Sequence, residues 1–230
     1  MRSPRVERVT VALSSTDKIR QKKQKFLARE QQIIETALDL LLLSGVEKVT
    51  VAEIARRAGI GKGTVYKHFE SKNQILMRIM LDYERCTAEN LRKGIEAVES
   101  GNPGAAVKAY FESRLANPAL DRLVQQLEIK LEYEADVAPQ MEELLEIRRS
   151  SIAKLNSLVE RQISRGVLED VPPHFHYLAC WALAQGAVDV CFNRGFSEDF
   201  GDKEKLLKFI TSIGVTMGNR GQFRGSLTDL

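Results

Sequence analysis

The feature that most constrains the fold is a capped helix, a glycine and a second short helix within residues 50–69. Thr50 and Glu53 have the T-x-x-E spacing of a capping box, which satisfies two free amides where a helix begins. The first helix of the pair ends at Gly59, and Ala55 and Gly59, four residues apart, are small enough for two helices to cross at a steep angle around a tight turn. The spacing therefore predicts a helix-turn-helix. A glycine-linked helix pair that serves only packing stays open as the alternative.

Further helices flank this pair. Apolar residues at three-to-four spacing predict a first helix over residues 30–43, with Gly45 at its C-terminal cap. The second helix of the pair is predicted over residues 62–69, with its apolar residues on one face. Ser71 and Gln74 repeat the capping-box spacing and mark the start of a long helix. Four helices thus occupy about fifty residues, separated by caps.

The rest of the chain also favours helices. Four breaks that combine a helix stop with proline divide it into about five more helices, and no sustained alternation of β-branched residues predicts a strand. We therefore expect an all-α protein.

Composition excludes several classes of protein. The chain has 230 residues, of which 43% are hydrophobic and 28% charged, as in ordinary globular proteins and unlike disordered or collagen-like chains. The longest apolar run, residues 177–184, is far shorter than the roughly 20 residues of a membrane-spanning helix, and no secretory signal is apparent. Three cysteines without C-x-x-C spacing favour reduced thiols. These features predict a cytoplasmic protein without a membrane partner.

Charge is distributed unevenly along the chain. Residues 1–29 hold nine basic and two acidic residues, whereas residues 81–230 hold eighteen basic and twenty-three acidic ones. A basic end on an acidic body suggests that one end approaches a polyanion. The alternative is a solvated tail that only aids solubility.

The exposed face of the second helix has side chains suited to DNA. Lys62 can donate to guanine, Thr64 can bond a base or contact a thymine methyl, and Lys72 can hold a phosphate at the start of the next helix. Glycines on this face allow close approach of the backbone. The predicted DNA-binding residues are Thr50, Gly61, Lys62, Gly63, Thr64, Tyr66, Lys67, His68 and Lys72.

The strings GVEKVTVAEIA (residues 45–55) and AGIGKGTVYKHFESK (residues 58–72) resemble the N-terminal domain of the TetR family of bacterial transcriptional regulators. The resemblance implies base contacts near Lys62, Gly63 and Thr64, and phosphate contacts from residues on either side. It covers about residues 30–80 by motif. The family often has serine where this chain has Gly61, which predicts a weaker helix cap here.

Family members often begin near the first helix, whereas this chain has 29 residues before residue 30. These residues are interpreted either as an arm in the DNA minor groove or as the product of a misassigned start codon.

The resemblance also implies a regulatory domain that binds a small molecule and forms a homodimer. Four divisions follow: a basic extension (1–29), a helix-turn-helix domain (30–75), a helical ligand-binding and dimerisation domain (76–217) and a loose tail (218–230). A stripe of small residues permits close approach of a partner helix, although plain core packing is the alternative. The predicted dimer residues are Ala179, Ala182, Gly186, Asn193, Leu206 and Ile210.

Bulky residues of this region are candidates for an effector pocket, because drug-sized sites are mostly apolar with a few polar anchors. Core packing is again the alternative. The candidates are Tyr110, Phe111, Tyr133, Met141, Cys180 and Trp181, with Arg114, Lys130, Glu132, Gln185 and Asp189 as possible anchors. His174, His176 and Cys180 are disfavoured as a metal site because the two histidines diverge on a helix.

These observations predict a homodimeric, ligand-responsive repressor of a near-palindromic DNA site, without a cofactor or metal. No catalytic motif favours an enzyme. Two alternatives stay open: a sequence-indifferent DNA-coating protein driven by the basic extension, and a helical enzyme or carrier that keeps the helix-turn-helix only for packing.

Overall fold

The structure, a computed structural model, describes residues 15–196 and 202–217, and all regular elements in those ranges are helical. This confirms the all-α prediction. The predictions for residues 1–14 and for the tail 218–230 lie outside the described residues. The α-helices are α1 (Ser15–Ser44), α2 (Val51–Arg57), α3 (Lys62–Val65), α4 (Lys72–Glu99), α5 (Ala105–Leu115), α6 (Pro118–Leu131), α7 (Ala138–Ser164), α8 (Pro173–Val190) and α9 (Lys203–Thr216).

Helix α1 begins at Ser15, so the first helix predicted over residues 30–43 is too short. The division at residue 29 falls inside this helix. Residues 16–29 are all exposed and carry no apolar stripe, which is why periodicity missed them. They are rich in lysine, arginine and glutamine, all good helix formers. Continuity with the packed half of α1, where Ile33 and Ala37 are fully buried, supplies the costly helix nucleus.

One hydrophobic core joins the N-terminal helices to the body. Buried residues of α1, α2 and α3 belong to the same cluster as Leu127 and Leu131 of α6 and Leu144 of α7. Helix α4 itself runs across the division predicted at residue 75. The helix-turn-helix therefore shares one continuous core with α6 and α7, in which α1 and α4 contact α6 and α4 contacts α7.

Helices α4 and α5 approach each other closely at Gly94. A Cβ built at Gly94 of α4 would lie 2.8 Å from the Cα of Ala106 and 2.9 Å from the Cβ of Ala109. Real Cβ atoms do not approach a backbone atom so closely, so only glycine fits at this crossing.

Within the described residues, no helix is both long enough and apolar enough to span a bilayer.

Candidate nucleic-acid interface

The turn between α2 and α3 has the hydrogen bonds of a Schellman motif. Gly59 has a φ of +65°, the left-handed conformation that glycine adopts without strain. The N–H of Ile60 donates to the carbonyl of Ala55 at 3.0 Å, and the N–H of Gly59 donates to the carbonyl of Arg56 at 3.2 Å. These bonds fix the direction in which α3 leaves α2.

Both predicted capping boxes form only their first half. The Thr50 Oγ1 accepts from the N–H of Glu53 at 3.2 Å, but the Glu53 carboxylate bonds Arg56 instead of returning to the cap. Ser71 likewise accepts from the N–H of Gln74, whose side chain bonds the N–H one residue before the cap. Because Thr50 is exposed and uses its oxygen only as an acceptor in the cap, its hydroxyl hydrogen can still donate to a phosphate.

Helix α3 is α-helical over its first turn only and continues as tighter turns. The N–H of Lys67 donates to the carbonyl of Thr64, and the N–H of His68 donates to that of Val65. Val65 is fully buried and Phe69 nearly so, which confirms the inner face predicted for residues 62–69. The predicted path is correct, but the α-helix is shorter than predicted.

Opposite this inner face, α3 presents the predicted DNA-contacting side chains. Lys62, Tyr66 and Lys67 are exposed, and Thr64 is half-buried. The Lys62 Nζ lies 5.7 Å from the centroid of the Tyr66 ring.

Gly61 and Gly63 are not required by packing. A Cβ built at either position has no neighbour within 4 Å, and Gly61 caps α3 without a side-chain hydrogen bond. The space beside them is open to an approaching molecule.

His68 faces α1 rather than open solvent. Its ring centroid lies 4.1 Å from that of Phe26, and its buried Nδ1 has no hydrogen-bond partner among the described residues. The contact fixes the N-terminal half of α1 beside α3, which sequence reasoning missed because residues 15–29 were not predicted to be helical. The phosphate contact of His68 stays a prediction.

Lys72 supports the loop that precedes α2. Its Nζ donates to the carbonyl of Val46 at 2.7 Å, and partial burial, followed by the nearby charge of Lys130, lowers its pKa. An ammonium group has three donors, so the two not used here are free for a phosphate.

Polar contacts connect the start of α4 to the segment after α6. The Ser71 Oγ donates to an Asp136 carboxylate oxygen at 2.6 Å, and the Asn73 Nδ2 donates to the other at 3.0 Å. Lys130, in the last turn of α6, pairs with Glu47 at 2.8 Å. These contacts connect the end of α6 and the segment after it to the loop before α2 and to the start of α4.

The exposed half of α1 carries a stripe of cations. Lys18, Lys22, Lys25 and Arg29 recur at spacings of four, three and four residues, which places them on one side of the helix. The lysines make no ion pair with any described residue, so their charge is available to a polyanion.

A cavity of about 710 Å³ lies between α4, α5, α6, α7 and α8. Of the predicted pocket residues, Tyr110, Met141 and Trp181 line it, as do the predicted anchors Arg114, Glu132 and Gln185. Lys130 and Asp189 do not line it, and neither do Phe111, Tyr133 and Cys180. Phe111 is core, Tyr133 is 89% exposed, and burial raises the pKa of Cys180 to about 11.

Two arginines organise the polar wall of this cavity. Arg114 makes a buried two-point ion pair with Asp121, at 2.9 and 2.8 Å, and also bonds Tyr110 and Gln185. The Asp121 carboxylate accepts further bonds from the Tyr83 hydroxyl and from the Gln125 side chain. Sequence reasoning missed Asp121 because its partner Arg114 lies on a different helix.

The second arginine is Arg148 of α7. Its Nε donates to Glu84 at 2.8 Å, and its two terminal nitrogens donate to the two carboxylate oxygens of Glu128. Burial raises the pKa of Glu84, an effect that the nearby guanidinium opposes. One cation thus serves two carboxylates.

The predicted dimer residues of α8 form an outward surface. Ala179, Ala182 and Gly186 of α8 are exposed, and so is Asn193, which follows the end of the helix. On α9, Leu206 is half-buried and Ile210 packs against the core of its own chain. Large apolar side chains of α8 and α9 that do not line the cavity are exposed as well: Phe175, Leu178, Phe209 and Ile213.

No metal site is formed by the disfavoured candidates. The His176 Nε2 contacts the carbonyl of Glu169 at 3.0 Å, and the His174 ring packs against Phe175. Among the described residues no three metal-ligating side chains come together.

Comparison with known proteins relates the N-terminal region to regulators. The family profile described as "Bacterial regulatory proteins, tetR family" matches residues 33–79. The chain is 25% identical over 134 residues to the HTH-type transcriptional regulator TtgR of Pseudomonas putida, covering 58% of this chain and 63% of that protein. It is 30% identical over 84 residues to the HTH-type transcriptional regulator BetI of Yersinia pestis, covering 36% and 42%. The chain thus spans less than two thirds of the length of these relatives.

Solved structures agree in fold over most of the chain. A bacterial regulatory protein in the tetR family from Rhodococcus has a TM-score of 0.64 at 19% identity, covering 83% of this chain and 96% of that one. The TetR-family regulator PfmR from Thermus thermophilus has a TM-score of 0.63 at 19% identity, covering 84% and 96%.

Proposed function

Because the chain belongs to the TetR family of bacterial regulatory proteins, we propose that it binds a specific double-stranded DNA site as a homodimer and releases it in response to a small molecule. The family's members are transcriptional regulators rather than enzymes. The observation that carries the DNA-binding proposal is the geometry of α3 and the turn after it. Val65 is fully buried in the core, while Lys62, Thr64 and Tyr66 lie on the opposite, outward side. Such a helix can enter the major groove with its first residues toward the bases.

The outward surface of α8 and α9 supports the homodimer. It combines a small-residue stripe with large exposed apolar side chains, the composition that two identical helix pairs need to pack closely across a twofold axis. A dimer would present two copies of α3 to one face of DNA, so the expected site is an inverted repeat.

Ligand response is supported by the position of α6. Its last turn lines the cavity through Glu128 and pairs with Glu47 through Lys130. The segment after α6 bonds Ser71 through Asp136. A ligand that favours one position of α6 would also favour one spacing of the two α3 helices, and it would act only through that difference in affinity. In the simplest case the protein represses transcription while it is bound to DNA, and the ligand causes it to dissociate from the DNA.

The test is selection of sheared bacterial genomic DNA on the purified protein at about 0.15 M salt, followed by sequencing of the retained fragments. Recovery of a few fragments that share an inverted repeat supports the proposal. Uniform retention would contradict specific recognition and favour the DNA-coating alternative. If no DNA is retained, even after cell extract is added to supply a co-repressor, DNA binding itself is contradicted.

A matched variant sharpens this test. Replacing both Lys62 and Thr64 with alanine should abolish enrichment of the repeat, whereas replacing the exposed Lys108 and Glu112 of α5 should leave it unchanged. Equal enrichment by both variants would exclude α3 as the reading element.

A further inference from the structure

The cavity has a charge imbalance that its own residues do not resolve. The Asp121 carboxylate neutralises Arg114 in a buried ion pair. The remaining lining charges are the carboxylates of Glu84, Glu128 and Glu132 against the single guanidinium of Arg148. The cavity therefore has two more negative than positive charges. One excess charge belongs to Glu84 and Glu128, which share Arg148, and the other is that of the exposed Glu132.

The two arginines are not available to an anionic ligand. All three guanidinium nitrogens of Arg148 bond Glu84 or Glu128, and all three of Arg114 bond Asp121, Tyr110 or Gln185. An anion would have to break these charge-assisted bonds and would also face the excess carboxylates. The net charge of the cavity and the hydrogen bonds of its arginines therefore both disfavour binding of an anion.

The aromatic lining favours the opposite charge. Tyr83, Tyr110, Tyr177 and Trp181 contribute to the wall, and Trp181, at 45% exposure, stands where the cavity meets solvent. The faces of tyrosine and tryptophan rings attract cations. Apolar side chains such as Met141 and Leu91 complete the lining, so apolar substituents of a ligand would be buried as well.

We propose that this cavity binds lipophilic organic monocations, with the charge beside Glu84 and Glu128 and the apolar groups against the tyrosines and Trp181. The volume of about 710 Å³ lies within the range of drug-sized sites, roughly 300–1,000 Å³. The proposal names the effector class of the ligand response proposed above and rests on that function for its biological meaning. Binding itself is independent of DNA.

The test uses two probes of nearly the same shape and opposite charge, tetraphenylphosphonium and tetraphenylborate. Trp181 is the only tryptophan of the chain, so quenching of its fluorescence reports occupancy of the cavity, and equilibrium dialysis checks the affinity independently. We expect saturable binding of the cation, at least roughly tenfold tighter than that of the anion. Equal or tighter binding of the anion would overturn the proposal, and this comparison needs no variant.

Variants then locate the charge. Glu128→Gln and Glu84→Gln should each weaken binding of the cation by roughly tenfold. Glu160→Gln is the matched control, because Glu160 is exposed on α7 outside the cavity. Its affinity should stay within about twofold of the unaltered protein. Circular dichroism selects the folded variants. Unchanged affinity in a folded Glu128→Gln or Glu84→Gln variant would also overturn the proposal.

A last measurement separates this inference from the proposed function. DNA affinity is measured with and without saturating tetraphenylphosphonium, on the site recovered by genomic selection. If the cation binds without changing DNA affinity, the proposed cation site is supported and the proposed ligand response is contradicted. If specific DNA binding is found but no cation binds, the proposed DNA-binding function is supported and the proposed cation site is contradicted.

Discussion

The proposed DNA-binding face and the cavity are built in opposite ways. On the face, the proposed contacts come mainly from consecutive residues of α3, which point outward and contribute little to packing. In the cavity, the polar groups come from five helices, most of them are buried or half-buried, and ion pairs and hydrogen bonds of Arg114 and Arg148 connect them. Substitutions on the face should therefore change binding before stability, whereas substitutions in the cavity wall should change stability first.

The largest expected effect is in the cavity wall. Arg114→Met would leave Asp121 buried and without its cation, which typically costs about 3–5 kcal/mol of unfolding free energy. Urea unfolding measures it. Arg149→Met is the control, because its ion pairs with Glu142 and Glu146 are exposed and should contribute less than about 1 kcal/mol. Similar losses in both variants would show that burial does not distinguish the two pairs.

Two helical glycines provide the next comparison. Gly94→Ala would force α4 away from the backbone of α5 and should cost about 1–3 kcal/mol of stability. Gly63→Ala meets open space and should leave stability unchanged or raise it by up to about 1 kcal/mol, while weakening DNA binding by blocking the approach of the backbone. Thermal unfolding and DNA titration of both variants test the contrast. An unfolding temperature of Gly94→Ala equal to that of the unaltered protein would contradict the expected contrast.

Two residues of the DNA-binding region should separate base reading from phosphate binding. Thr64→Ala should lose about 1 kcal/mol on the recovered site and little on random DNA. Lys72→Met should weaken binding to all sequences and lower the salt slope by about 1, with a small stability loss because Val46 loses its donor. Equal losses on specific and random DNA for Thr64→Ala would exclude its role in base reading.

The smallest expected effect concerns the stripe on α1. Replacing Lys18, Lys22 and Lys25 with glutamine should lower the salt slope of DNA binding by up to about 3 without changing the preferred sequence. The same change at Lys93, Lys108 and Lys154, which are exposed on the body, is the control. Complete loss of DNA binding in the first variant would support the coating alternative, and an unchanged slope would exclude α1 from the interface.

Local rules account for what was predictable. Caps, the glycine after α2 and the apolar spacing of Val65 and Phe69 act over a few residues, so the sequence alone predicts the helix-turn-helix and the all-α fold. The N-terminal half of α1 escaped prediction because its stability comes from helix propensity and continuity with the packed half. Neither leaves an apolar stripe.

By itself, the sequence determined which residues α3 presents, because a helix with two buried positions at i and i+4 has only one outward face. It did not determine the cavity. Arg148 and its partner Glu84 are far apart in the chain, and only the packing of the helices from α4 to α8 brings them together and buries groups such as Glu84 and Asp121. It likewise gave no sign that His68 packs on Phe26. Contacts across helices depend on how the helices cross, and that is decided by the tertiary structure.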